Sequence, residues 1–430
     1  MATDLSSKTV LVVSGPLYVS LAERLARDFA KVYLHVPIAG SYPHINKGLV
    51  GYGLPGVELV NEIDGPHLDE ADLVVFPDLY HPAAQVRIEE MGKRVWGSRH
   101  GEDLECKREL CKKLMEKEGL PVQPWKVLHG LKALRAHLKA HDGQHVKIDR
   151  WRGVTESFFA ENYETVAPKL DQLAASLGAF QEVLDFIVED DLPDRVEIGL
   201  DTYCIDGAYP DLTLCGLEVK DLGFTGQFVP WKAIPEPLRR WNEAMAPYLE
   251  QAGFRGSLSN EIRIGKDKEP FMIDATCRMP SPPGELWQEI ITNLAEVLWS
   301  GAGGEVAEPI PAGKFGVEVI LKSAFAEDNH QPVEIPEQFE RNVKLYNSIL
   351  VDGRRYVVPQ GDQMTEIGAV IGWGDTLEAA VAMAQEAGES VKGYGIKFGM
   401  GPIDNATEQM AELADLGVSP FEMDKFPAPP

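Results

Sequence analysis

The first hundred residues repeat one pattern: a short β-branched run, a stretch with apolar residues at helical spacing, then another run. TVLVVSG (9–15) and KVYLHVP (31–37) bracket the helical stretch YVSLAERLARDFA, and ADLVVFPD and KRVWGS follow as two further strands. Strands separated by helices cannot close as tight hairpins. They lie parallel, with the helices on the faces, so the alternation restricts this region to an α/β domain on a parallel sheet. The SGP turn after the first run lacks the full GxGxxG fingerprint, which leaves a structural domain whose strand ends line part of a ligand cleft.

A chain of 430 residues, 44% of them hydrophobic, exceeds what one core serves and implies two or three domains. A net charge of -26 repels nucleic-acid phosphates and anionic lipid, which argues against non-specific nucleic-acid binding. The five cysteines (Cys106, Cys111, Cys204, Cys215, Cys277) are odd in number and include no CxxC pair, so reduced thiols and no disulfides are expected. MATDLSSKTVLVVSG has no basic region followed by a long apolar core, and no apolar run reaches membrane-spanning length. The expectation is a soluble, cytoplasmic protein with no membrane partner.

EDLECKRELCKKLMEKEGLPVQPW reads as a helix with Leu104, Leu110, Leu114 and Met115 apolar and a stop at Gly119. HVKIDRWRGVTESF is a strand carrying Lys147, then a turn. There Gly153 allows backbone amides to face a ligand, and Arg152, Thr155 and Ser157 can donate to phosphate oxygens; an ordinary polar turn fits the same residues. A strand at Phe180–Val183, an acidic linker and a second strand bearing Glu197, Asp201 and Tyr203 come next, and Lys220 stands at a later strand end. NEIRI and FMIDATCR are strands separated by GKDKEP, a turn of hairpin length. Asp274, Thr276 and Arg278 then share one face, and the return brings Glu261 beside Asp274. Two carboxylates so placed repel unless a cation or proton intervenes, and magnesium suits them. The alternative pairs these acids with Arg263, Lys266 or Lys268 on an exposed hairpin.

The order of these elements resembles the ATP-grasp superfamily. KKLMEKEGLPVQPW resembles the lysine-helix-GLP segment that opens the ATP lobe of D-alanine-D-alanine ligase, and DATCRMPSPPG stands where the family has an E-x-N-x-R sequence. Lys147 and Lys220 precede Glu261 by 114 and 41 positions, and Asp274 follows it by 13, close to the family's intervals. The resemblance implies α/β and α+β architecture: a pre-ATP-grasp α/β domain at 1–98, a two-lobed ATP-grasp domain at 99–305 with its lid lobe at about 122–190, a small β-rich α+β domain at 306–425, and a flexible tail at 426–430. It further implies ATP and Mg2+, or Mn2+, as cofactors. Lys112 and Lys147 would meet the α and β phosphates, with Arg152, Gly153, Thr155 and Ser157 in the lid over them. Glu182 and Val183, in the QEVLDF hinge, would lie against the adenine, and Glu197 would accept from a ribose hydroxyl. Lys220 would reach the γ-phosphate, Glu261, Asp274 and Thr276 would ligate the metal, and Arg278 would hold a substrate carboxylate or steady an acyl phosphate. Thr276 departs from the family's asparagine, Asp274 from its glutamate, and the lid from its run of glycines.

The implied activity joins a carboxylate to an amine through an acyl phosphate, releasing ADP and phosphate, and needs no protein nucleophile. The ten histidines, scattered with no HExxH spacing, agree with that. From about Ile310, KFGVEVILKS, NVKLYNSILVDGRRYVVPQ and EIGAVIGWGD read as strands, TLEAAVAMAQEAGES as a helix behind an Asp375-Thr376 cap, and GYGIKFG as a final strand. This end is similar to phosphoribosylamine-glycine ligase and biotin carboxylase. Small-molecule carboxylate and amine substrates are the implied partners, and a homodimer is compatible. Two alternatives stay open: a carboxylase that activates bicarbonate, and a non-catalytic ATP-binding module.

Overall fold

The computed structural model describes residues 4–37, 50–149, 157–193, 195–219, 222–359 and 365–419. The chain forms two compact units, a larger one (Met1–Glu102, Glu197–Glu261, Thr276–Pro430) and a smaller one (Asp103–Val196, Ile262–Ala275). Among the described residues no helix is long and apolar enough to cross a membrane.

The larger unit opens with β1 (Thr9–Val13), β2 (Lys31–His35), β3 (Val57–Val60), β4 (Leu73–Val75) and β5 (Arg94–Trp96), in spatial order β3-β2-β1-β4-β5. Every pairing is parallel, as the alternation required. Val10 and Val12 enter one core with Val32, Leu34 and Val75, while Leu11 and Val13 enter a second with Tyr33 and Val74. Strands buried on both faces have no polar alternation, and continuous β-branched runs follow. β3, absent from the sequence reading, is a half-exposed edge strand only four residues long.

The smaller unit carries β6 (Trp125–His129), β7 (Gln144–Ile148), β8 (Ser157–Ala160) and β9 (Asp185–Asp190), an antiparallel sheet in the order β6-β9-β7-β8. Helices Leu131–Leu138 and Tyr163–Leu177 cover one face, burying Leu134, Leu170 and Leu173 against Val146, Ile148 and Phe186. Asn162 caps the second helix by accepting from the Thr165 amide at 2.9 Å. Phe180–Val183 is not a strand. Gly178, at φ +51, ends that helix, and Gly178–Glu182 follows as a tight 3-10 turn. Pairing partners exist only from Asp185, opposite His129, so the strand starts there.

The remaining strands are β10 (Arg195–Ile205), β11 (Leu212–Val219), β12 (Gly223–Pro230), β13 (Arg255–Gly265), β14 (Pro270–Thr276), β15 (Phe315–Lys322), β16 (Gln331–Val333), β17 (Val343–Leu345), β18 (Ser348–Val351), β19 (Arg354–Val357) and β20 (Glu366–Gly374). In the larger unit, β13, β10, β11, β12, β15, β20 and β17 follow one another in a sheet, and β16-β19-β18 forms a second. The chain passes through β13 into the smaller unit, where β14 returns beside its end. Thr376 caps helix Leu377–Ser390 as expected, accepting from the Ala379 amide. GYGIKFG, by contrast, is not a strand. A turn at Gly395, φ +68, interrupts it, and only an isolated bridge between Lys322 and Lys397 forms. A helix at Gly401–Leu416 follows, with Ile403, Ala406, Met410 and Leu413 buried at the 3-4-3 spacing of one helical face.

Two ionic features lie inside the larger unit. The buried Glu289 accepts from Lys344 at 2.6 Å, Arg341 at 2.7 Å and Arg27 at 2.8 Å, tying helix Gly284–Ile290 to β17 and to the end of the first helix. The carboxyl groups of Glu285 and Glu318, each fully buried, are in hydrogen-bonding contact, yet Oε1 of each meets no donor. Two acceptors in contact require a proton between them. Burial, reinforced by the neighbouring Glu285 charge, accordingly drives Glu318 far above the usual carboxylate range. Ser281 donates to Glu285 at 3.0 Å and the Leu286 amide to Glu318 at 2.9 Å, holding the pair at the start of the helix.

Candidate nucleotide site

The smaller unit gathers an alternating line of charge. Lys112 comes from helix Arg108–Lys117, Lys147 from β7, Glu189 from β9 and Asp274 from β14. Lys112 pairs with Glu189. Lys147 lies 3.4 Å from Glu189 and 3.1 Å from Asp274, and donates to the Ile273 carbonyl at 2.7 Å. β7 and β9 pair with Lys147 opposite Ile187, so Lys147 and Glu189 project on the same face two residues apart. Lys112, Lys147 and Glu189 are buried, whereas the Asp274 side chain keeps 39% of its exposure. Burial alone would depress the Lys147 ammonium; Asp274 and Glu189 outweigh it and hold the group above the ordinary lysine value. Burial likewise opposes ionisation of Glu189, and the two lysines overcome it and hold its carboxyl below the ordinary value. Arg108, Cys111, Met115 and Met272 line the same cleft, and burial pushes the Cys111 thiol up to about 11, where it is inert.

In the larger unit Glu261 lies over Gly199, where a Cβ would stand 3.4 Å from its Cγ. Two residues back on the same face, Ser259 hydrogen-bonds Asp201, which burial drives up to about 7. Asp201 is therefore protonated in the fold under conditions where the unfolded chain ionises it. A folded pKa raised above the unfolded 3.8 means stability that is full below that value and lost as pH rises toward 7. Asp201→Asn is expected to abolish this slope of about 1.4 kcal/mol per pH unit, which urea unfolding at several pH values would detect. An unchanged slope in the variant would exclude Asp201 as its source.

The sequence-derived set is thus partly assembled. Lys112, Lys147 and Asp274 meet within one unit; Asp274, Thr276 and Arg278 are all half-exposed, but β14 ends at Thr276, and Arg278 lies in a bend beyond the strand on which it was expected. Arg278 donates to the Tyr18 hydroxyl at 3.1 Å. Ser157 begins β8 and Glu197 lies near the start of β10, both half-buried. Glu182 and Val183 are exposed, at the end of the 3-10 turn, and do not join the lysines. Arg152, Gly153, Thr155 and Lys220 fall outside the described residues. Among the described residues no group of three or more His, Cys, Asp or Glu side chains gathers as a metal site. In the larger unit Glu261 and Thr276 are half-exposed and offer carboxylate and hydroxyl oxygen within reach of solvent, donors whose chemistry suits a hard divalent cation.

No family model matches the sequence, and no curated protein does. Solved structures do match. Phosphoribosylamine-glycine ligase from Thermotoga maritima superposes with a TM-score of 0.68 at 16% identity, covering 91% of this chain and 99% of its own. The chain has the ATP-grasp fold. A biotin carboxylase domain of 2-oxoglutarate carboxylase from Hydrogenobacter thermophilus, in a complex with MgADP and bicarbonate, gives 0.62 at 14% identity, with 91% of each chain covered. L-amino acid ligase from Bacillus licheniformis gives 0.58 at 14% identity over 92% of this chain and 99% of its own.

Glu189 is the member of the lysine line that the sequence reading missed. FIVEDD shows an acid entering an apolar run, and an acid fully buried on a strand needs cations beside it. That signal pointed to the two lysines, had the strand been placed at 185–190 instead of 180–183.

Proposed function

We propose that the protein is an ATP-dependent carboxylate-amine ligase that works through an acyl phosphate. The observation carrying this reading is the Lys112–Glu189–Lys147–Asp274 line, buried but for Asp274, in a chain with the ATP-grasp fold. Two ammonium groups held in a cleft by strands and a helix supply fixed positive charge, and phosphoryl transfer is mostly positioning and charge stabilisation. The neighbours' names, a glycine ligase and an amino acid ligase among them, supply the reaction class.

In this mechanism Lys112 and Lys147 take the α and β phosphates, and Lys220 takes the γ-phosphate. Glu197 accepts from the ribose, and Arg152, Gly153, Thr155 and Ser157 belong to the lid. A substrate carboxylate oxygen attacks the γ-phosphorus and ADP leaves; the amine nitrogen attacks the acyl carbon, phosphate leaves, and the nitrogen gives up a proton. Arg278, oriented by Tyr18, holds the substrate carboxylate. Glu261, Asp274 and Thr276 would hold a magnesium ion, which when bound supplies charge neutralisation at the transferring group. The same reading divides the chain near 98 and 305 and places the protein in the cytoplasm, acting on small molecules.

The test is ADP and phosphate release from ATP and magnesium across a matrix of acids and amines. Release dependent on one acid-amine pair supports the ligase. Release dependent on bicarbonate alone selects the carboxylase, the second reading that the bicarbonate complex favours. AMP as product excludes an acyl phosphate, and binding without turnover leaves a nucleotide-binding module.

A further inference from the structure

In the order β3-β2-β1-β4-β5 the chain winds outward from β1 in both directions, so the crevice beyond the carboxyl ends of β1 and β4 is the switch point where open α/β sheets take ligands. Ser14 and Gly15 leave β1 there, and Pro77 and Asp78 follow β4. The segment after β14 is tied to the same place. The Met279 amide donates to the Pro77 carbonyl at 2.8 Å, the buried Tyr18 hydroxyl donates to the Met279 carbonyl, and Arg278 donates to Tyr18. Arg278 and Asp78 both act electrostatically on the Tyr18 hydroxyl, so a cation and an anion lie near one buried group within the larger unit.

Asp78 is set up as a reader of charge. Its Oδ1 accepts from the Leu79 amide at 2.8 Å, which fixes the carboxylate. Its Oδ2 has no donor among the described residues and lies 3.4 Å from where a Cβ on Gly15 would stand. A Cβ at position 15 would stand in ordinary van der Waals contact with that oxygen. Nearby, half-buried His81 is depressed by burial against the opposing pull of Asp78, and so presents a neutral imidazole rather than a competing cation. A half-buried carboxylate oxygen without a donor gains most from a charged N–H group.

We propose that Asp78 is a specificity-determining residue that binds the ammonium group of a zwitterionic substrate, an α-amino acid whose carboxylate is held by Arg278. The inference rests on the ligase reading for the role of Arg278, but its readout is binding and does not depend on turnover.

The experiment is calorimetric titration of the full chain with each of the twenty free amino acids and their N-acetyl forms, with and without MgADP. A charge-assisted hydrogen bond to an ammonium corresponds to about tenfold to a hundredfold in affinity. At least one free amino acid should bind, with its N-acetyl form weaker by that factor. Asp78→Asn keeps an acceptor for the Leu79 amide. It should lower affinity for the free form to the level of the N-acetyl form while leaving MgADP affinity unchanged. The proposal is overturned if no free amino acid binds, if acetylation makes no difference, or if Asp78→Asn binds the free form as wild type does. Loss of MgADP binding by the unmutated protein would instead sink the ligase reading.

Discussion

Lys147→Met is expected to weaken MgADP binding by about tenfold to a hundredfold, the loss of one charge-assisted contact to a phosphate oxygen. Methionine keeps the unbranched stem of lysine without its terminal nitrogen and carries neither charge nor donors. In the wild-type protein Lys147 donates to the Ile273 carbonyl and to Asp274 and lies 3.4 Å from Glu189, so the ammonium is held in place with one N–H left to reach a ligand. Calorimetric titration with MgADP measures the effect, and thermal unfolding run beside it separates lost binding from lost fold. Glu189 keeps Lys112 in the variant, which limits the cost in stability. Retention of wild-type affinity in a folded Lys147→Met protein would remove the lysine line from the nucleotide site and the proposed function with it.

Glu289→Ala is expected to destabilise the larger unit by about 3–5 kcal/mol, the cost of breaking a buried ion pair from one side. Arg341 and Arg27 keep 59% and 40% of their side-chain exposure and can turn to water. Lys344, at 5%, cannot. Burial already holds its ammonium below the ordinary lysine value with Glu289 present, and without that carboxylate the group is driven to the neutral form. A folded state that binds fewer protons than the unfolded one gains stability as pH rises, so the variant should recover more toward alkaline pH than the wild type does. Glu289→Ala/Lys344→Met, which removes both charges, should regain most of the loss. Urea unfolding of the three proteins at pH 7 and 9 measures this, and a double variant as unstable as the single one would show that packing rather than charge was lost.

The sequence made the fold readable wherever one physical signal dominated. Val10 to Val13 and Val32 to Leu34 are unbroken apolar runs because both faces of the sheet are covered, and nothing but a buried parallel strand suits them. Val57–Val60 went unread because a half-exposed edge strand has no such run. Helix Gly401–Leu416 was hidden by Gly401 and Pro402, which look like a loop, although the 3-4-3 spacing of its buried residues begins immediately after them. At the candidate site, Lys112 and Lys147 entered the sequence reading through the family resemblance and Asp274 through the hairpin, whereas Tyr18 and Asp78 did not enter it. Their meeting with the segment after β14 joins positions some two hundred or more residues apart, and only the folded chain brings it about.

Two glutamates that share a proton also fix what the protein does to the solution around it. At neutral pH the unfolded chain ionises both, so melting must release the hydrogen ion that Glu285 and Glu318 held between them. In weak buffer the sample should turn more acidic as it denatures, and the apparent heat of unfolding should track the protonation enthalpy of whichever buffer takes up that ion.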